Sequence, residues 1–221
     1  MQKVFLQCCI LACSLVFSGC SAMQVALTKK DLNVQTKMSD TIFMDLENQK
    51  GKKVYVDFRN TSGKTLNLQN MVVDSIIARD YEVVSSPSSA NYIMQVNVLS
   101  CEMTDPAAIE KTLGMGYAGT ALTGAATGVL IGTATHSSYG MATGGLVGGL
   151  AGGAAEMVAG SLVKDVTYAL ITDVQVIEKT SKAKHTHRTR LASYANKVNL
   201  KYEEAQMPLE QAMANSIAGI F

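Results

Sequence analysis

The chain has 221 residues, with 19 Lys and Arg against 18 Asp and Glu, a net charge of +1 and no Trp. A near-neutral chain lacking a basic stripe interleaved with stacking aromatics excludes nucleic acid as a partner.

The first element is a leader. Lys3 gives a short positive start, and Val4 to Phe17 is an uncharged apolar run of signal-peptide length. "FSGC", Phe17 to Cys20, is similar to a bacterial lipobox, in which the peptide bond before the cysteine is cut. The expectation is a signal at 1–19, removed, and a mature chain from Cys20 bearing a covalent N-acyl group and an S-diacylglycerol. Ser21 rather than Asp after the cysteine points to the outer membrane of a Gram-negative envelope. Two or more acyl chains anchor firmly at ~0.8 kcal/mol per buried methylene. Of the five cysteines only Cys101 then remains as a thiol, so no internal disulfide is expected.

Met23 to Lys30 is a polar tether. Alternation begins at Asp31, with Leu32, Val34, Thr36 and Met38 on one face, and "TIFMDL" continues extended. "KKVYVDFRN" alternates again, and Asn60 to Lys64 is a turn cluster. Leu66 to Arg79 has apolar residues at helical spacing, and Asn91 to Met103 is the clearest strand.

The composition then changes. From Thr112 to Ala155 there is no Asp, Glu, Lys or Arg, and fourteen of the eighteen glycines lie between Gly114 and Gly160. "GMGYAG" matches G-x-G-x-x-G, but a dinucleotide turn needs a strand before it and a carboxylate about twenty residues on. "MTDPAAIEKTL" is no strand, and the next carboxylate is Glu156. Nucleotide binding is rejected. A four-residue period fits better: Gly116, Thr120, Gly124, Gly128 and Gly132, then Gly140, Gly144, Gly148 and Gly152. Such stripes let helices pack closely in lipid. Twenty-two residues at ~1.5 Å each span a ~30 Å bilayer core. This predicts two membrane helices, with His136, Ser137, Ser138 and Tyr139 at the outward tip, and many copies packing through the stripes.

Beyond Lys164 alternation returns in "DVTYALITDVQVIEK" and "RLASYANKVNLKYEE", and Met207 to Ile220 closes with a helix whose first turn holds Pro208. "KAKHTHRTR" reads as a solvated strand or loop. His185 and His187 share a face there without a third ligand, so no metal is expected. Asp173, Glu178, Glu203 and Glu204 read as solvated charges. The expected fold is α+β: a small mixed strand and helix domain, periplasmic or at the surface, with an inserted Gly-rich transmembrane helical hairpin, assembling into a ring-like homo-oligomer. Its parts are 20–112 and 164–221 for the domain and 113–163 for the hairpin.

Collinear stretches resemble the TraT family of surface-exclusion and complement-resistance lipoproteins of conjugative plasmids. They are "KKDLNVQTKMSDTIF", "FRNTSGK", "GYAGTALTGAATG", "VKDVTYALITDVQVIEKT" and "SYANKVNLKYEEA". Between Glu178 and Arg188 the chain is shorter than the family form. The resemblance implies an oligomeric outer-membrane lipoprotein, without catalytic residues, that impedes mating-pair contacts and resists complement. Its implied partners are further copies, outer-membrane lipid and a surface or pilus component of a mating cell. No small-molecule substrate and no cofactor beyond the lipid are implied. A structural glycine-zipper envelope lipoprotein and an oligomeric outer-membrane pore are the other readings.

Overall fold

A computed structural model describes residues 29–44, 51–117, 164–180 and 183–221. Its strands are β1 (Asn33–Met38), β2 (Lys53–Asn60), β3 (Glu82–Val83), β4 (Tyr92–Met103), β5 (Asp165–Lys179) and β6 (Lys184–Val198). They form one six-stranded sheet in the order β1-β6-β5-β4-β2-β3. The β1–β6, β6–β5 and β5–β4 pairs are antiparallel, whereas β2 lies parallel to β4 and β3. The helices among the described residues are α1 (Leu68–Ile77), α2 (Pro106–Gly114) and α3 (Tyr202–Ala218).

Alternation in the strands builds two apolar layers. On the first face Tyr92, Met94, Val96 and Val98 of β4 join Leu170, Val174 and Val176 of β5 and Leu191 and Ala195 of β6. Leu68, Val72 and Ile76, four residues apart on α1, and Leu209, Met213 and Ile217 on α3 close over them. On the second face α2 lays Ala108, Ile109 and Leu113 on Leu99, Ala169, Ile171 and Ala192.

One bulge makes the second layer. The β4–β5 register runs Val98 to Thr172 and then Ser100 to Ile171, leaving Leu99 as the extra residue. Up to Val98 the even-numbered side chains of β4 face the first layer, and beyond the bulge Cys101 does. Leu99 drops into the second layer beneath α2.

Buried carboxylates and short turns fix the ends. Glu210 of α3 accepts from the Asn67 N–H (2.7 Å) and from Gln206 Nε2 (2.8 Å), so it holds the start of α1. Asn199, at φ 51, turns β6 into α3, and its side chain accepts from the Lys164 N–H at 2.9 Å.

The expected membrane hairpin is corrected. Its first residue, Leu113, is the last apolar contact of α2, a helix capped by the Asp105 side chain (2.6 Å from the Ala107 N–H) with Pro106 in its first turn. Absence of charge beyond Lys111 marks a lipid segment only where the apolar residues have no protein surface to cover, and Leu113, the first of them, covers the sheet. Among the described residues no helix is long and apolar enough to cross a membrane. The fold seen is a mixed sheet with three helices. The remainder of the expected hairpin, 118–163, lies outside the described residues, as do the signal and Cys20.

Two boundaries also move. Residues 41–44 are irregular rather than extended, with Ile42 and Met44 packed against the core and Phe43 81% exposed. The last helix begins at Tyr202 and carries Pro208 inside it. Glu203 and Glu204 in its first turn favour the N-terminal end of its dipole. Burial of Ala205, Leu209 and Met213 outweighs the proline.

Candidate functional site

The second face carries a polar band beside the layer under α2. Strand register places Asp57, Gln95, Gln175 and Arg188 in one row across β2, β4, β5 and β6. Their side chains join end to end. Gln95 Nε2 donates to Asp57 Oδ2 (3.0 Å), Gln175 Nε2 to Gln95 Oε1 (2.7 Å), and Arg188 Nε to Gln175 Oε1 (2.6 Å). The next row is Arg59, Asn97, Asp173 and Arg190. In the first row Gln95 and Gln175 link the carboxylate at one end to the guanidinium at the other, so that row is continuous over four strands.

Its deepest point is an ion pair. Arg190 is fully buried, and its Nε and Nη2 donate to the two oxygens of Asp173 at 2.7 and 2.9 Å. Burial raises the Asp173 carboxyl above its ordinary range, while the guanidinium opposes that rise. The bidentate contact from the guanidinium favours the charged form of the carboxyl, against the effect of burial. Arg190 Nη1 is buried and has no hydrogen-bond partner among the described residues. At the solvent end of the other row, Arg188 lies 5.6 Å from the centre of the Tyr117 ring. The inner groups of the two rows satisfy one another, and the guanidinium groups exposed to solvent are those of Arg59 and Arg188 at the row ends.

A shallow apolar pocket of about 200 Å³ lies at the other end of α2, lined by Pro106, Ala107, Ile109, Glu110 and Tyr194. Two titratable groups sit in the first core's rim. Burial pushes the Glu102 carboxyl up to about 7, against a pull from Lys64. It pushes the Cys101 thiol up to about 11, with the Tyr202 hydroxyl 3.7 Å from its sulfur.

Of the glycine stripe, Gly116 alone is among the described residues, and it stands outside any helix. Its φ is +64, and its N–H donates to the Leu113 carbonyl at 2.9 Å, so it terminates α2 in the left-handed conformation. Thr120, Gly124, Gly128, Gly132, Gly140, Gly144, Gly148 and Gly152, with the tip His136, Ser137, Ser138 and Tyr139, lie outside the described residues. Asp173 and Glu178 are buried rather than solvated. Glu178 lies 3.9 Å from His187 Nε2. Among the described residues no group of three or more His, Cys, Asp or Glu could hold a metal. The polar rows escape a reading of single strands, because Gln95, Gln175 and Asp57 meet only through register. An alternating strand that keeps polar residues opposite its apolar set was the available signal. The stretch where the chain looks short is the tip of the β5–β6 hairpin, where Thr180 and Ala183 bond across the turn.

The family model for "TraT: Enterobacterial TraT complement resistance protein" matches residues 31–187 and 178–221, two stretches that overlap on that hairpin tip. A TraT complement resistance protein of Escherichia coli is 38% identical over 245 residues, taking in 99% of this chain and 98% of its own. That of Escherichia coli strain K12 is 39% identical over 245 residues, with the same coverage. A shorter match joins 38% of this chain to 35% of the Wigglesworthia glossinidia brevipalpis protein at 33% identity. The PelC L103M dodecamer from Paraburkholderia phytofirmans superposes on 86% of this chain and 96% of that one, at 7% identity and a TM-score of 0.34, a likeness too loose to bear on fold or function. Matched from Asp31 to its last residue, and aligned nearly end to end with relatives at this identity, the chain belongs to the TraT complement resistance protein family.

Proposed function

We propose that this chain acts without catalysis in the Gram-negative envelope, giving resistance to complement and lowering the cell's acceptance of a conjugative plasmid it already carries. Acyl groups on Cys20 hold it on the outer membrane, and copies associate with one another there. It impedes mating-pair contact by engaging a surface or pilus component of the mating cell, with no nucleic acid, small-molecule substrate or further cofactor involved. The observation that carries this reading is the relation to named complement resistance proteins over 99% of the chain. The exposed guanidinium groups of Arg59 and Arg188, at the ends of the polar rows, support a role in protein recognition.

The test is expression of the full chain alone in plasmid-free cells, with surface exposure verified. Survival in active serum should rise, and transfer of the cognate plasmid into those cells should fall. Unchanged serum killing overturns the complement reading. Unchanged transfer frequency overturns the exclusion reading.

A further inference from the structure

The two edges of the sheet match each other. β1 forms one edge, with six residues. At the other edge β3 covers only Lys53 and Val54 of β2's eight residues, leaving Tyr55 to Asn60. Among the described residues no strand pairs the outer side of either stretch. Neither contains a proline or a bulge, two of the guards of an open edge; the guard that each does carry is charge, Lys37 on β1 and Asp57 and Arg59 on β2.

Backbone geometry selects which residues are free to bond. The Ser39 N–H donates inward to the Arg190 carbonyl, so on β1 the outward groups are those of Val34, Thr36 and Met38. On β2 the Val54 carbonyl accepts from Val84 on the outer side, so Val56, Phe58 and Asn60 also point outward. Val34, Met38, Val56 and Phe58 all pack at the margin of the first core, each half-buried. The outward positions of both edges therefore carry side chains on the same face. Strand directions make β1 antiparallel to β2 across the sheet.

We infer that one copy of this chain joins the next through these edges, β1 pairing antiparallel with Tyr55–Asn60 of its neighbour and Lys37 facing Asp57. In that register Thr36 meets Phe58, Met38 meets Val56 and Gln35 meets Arg59. The apolar margins meet on one face, and opposite charges meet on the other. Lys37, at 46% side-chain exposure, already pairs with Glu110, and Asp57 at 31% is the end of the polar row, so both present charge at the edge. Three outward residues on each strand supply up to six new backbone hydrogen bonds. The inference rests on the self-association in the proposed function and names its contact.

The full chain carrying Lys37→Cys and Asp57→Cys, oxidised on the cell envelope, tests it. Directly opposite, non-hydrogen-bonded residues have Cα atoms about 4.5 Å apart, within disulfide reach. A bond within one chain is excluded, since four strand spacings separate β1 from β2, about 19 Å. Cys101 is buried and does not compete. The expected result is a ladder of covalent oligomers from the double variant and none from either single variant. A wild-type oligomer with no ladder overturns the edge contact and leaves self-association standing, whereas a wild-type monomer overturns both. A dimer from a single variant overturns the contact in favour of a two-fold one. Should the double variant not accumulate, Val34→Pro removes one outward donor without touching the β1–β6 ladder. It should weaken association about tenfold, the equivalent of one such hydrogen bond, and an unchanged oligomer overturns the inference.

Discussion

At the scale of single residues, Arg190 and Asp173 decide how the sheet tolerates polarity inside it. Breaking a buried pair costs about 3–5 kcal/mol, because the remaining charge is stranded, whereas replacing both partners with apolar groups is often neutral. Asp173→Leu and Arg190→Met should each lower stability in urea unfolding by that amount, and the double variant by much less than the sum. Additive losses would show that the two groups act independently. Glu102 provides a pH-dependent term. Its folded pKa of about 7 lies above the ordinary carboxylate value. Its contribution is therefore complete below the unfolded pKa near 4.5 and lost as pH rises through about 7. Glu102→Gln should raise the melting temperature at pH 8 and leave it nearly unchanged at pH 4, read by circular dichroism at both values. Neither role was legible in the sequence. Asp173 and Glu178 look like ordinary strand charges until register shows which neighbours cover them, and Glu102 gives no sign of the burial that shifts it.

At the scale of elements, periodicity carried most of the fold. The alternations at Leu32–Met38, Asn91–Met103 and Asp165–Lys179 and the spacing of Leu68, Val72 and Ile76 each correspond to an observed strand or helix. One failure came from a local rule outweighed by tertiary burial. Pro208 belongs in a first turn by propensity, yet it lies inside α3 because Ala205 and Leu209 are buried on either side. Its ring removes the N–H that would reach the Glu204 carbonyl. Pro208→Ala should therefore stabilise the protein by about 2 kcal/mol after the gain in unfolded-chain freedom is subtracted, with an unchanged denaturant slope. The glycine period at Gly116 misled for a different reason. A residue can satisfy a repeat in the sequence while serving as the stop of the preceding helix. Its left-handed φ makes Gly116→Ala cost about 1 kcal/mol, although among the described residues a Cβ would find only Asp40 at 3.7 Å. A loss near zero in thermal unfolding would mean that the turn relaxes.

At the scale of the whole molecule, the sheet joins the two ends of the chain. Thr36 and Ser193, hydroxyls 2.6 Å apart, are separated by 157 residues, whereas β5 and β6 are consecutive and close through a short turn. Non-local pairings form slowly, because loop-closure entropy must be spent before contacts repay it. The chain crosses a membrane with its N-terminus leading if the leader acts as its sequence suggests, so β1 arrives first and waits for its partner until nearly everything else has emerged. Pulsed hydrogen exchange during refolding should find the β5–β6 amides protected first and those of β1 last. Protection of β1 in step with the hairpin would overturn that order. Delayed closure has a cellular consequence. Under the proposed export, β1 stays an unmated template until β6 forms, and production of this protein should then depend on the supply of envelope chaperones that shield extended segments.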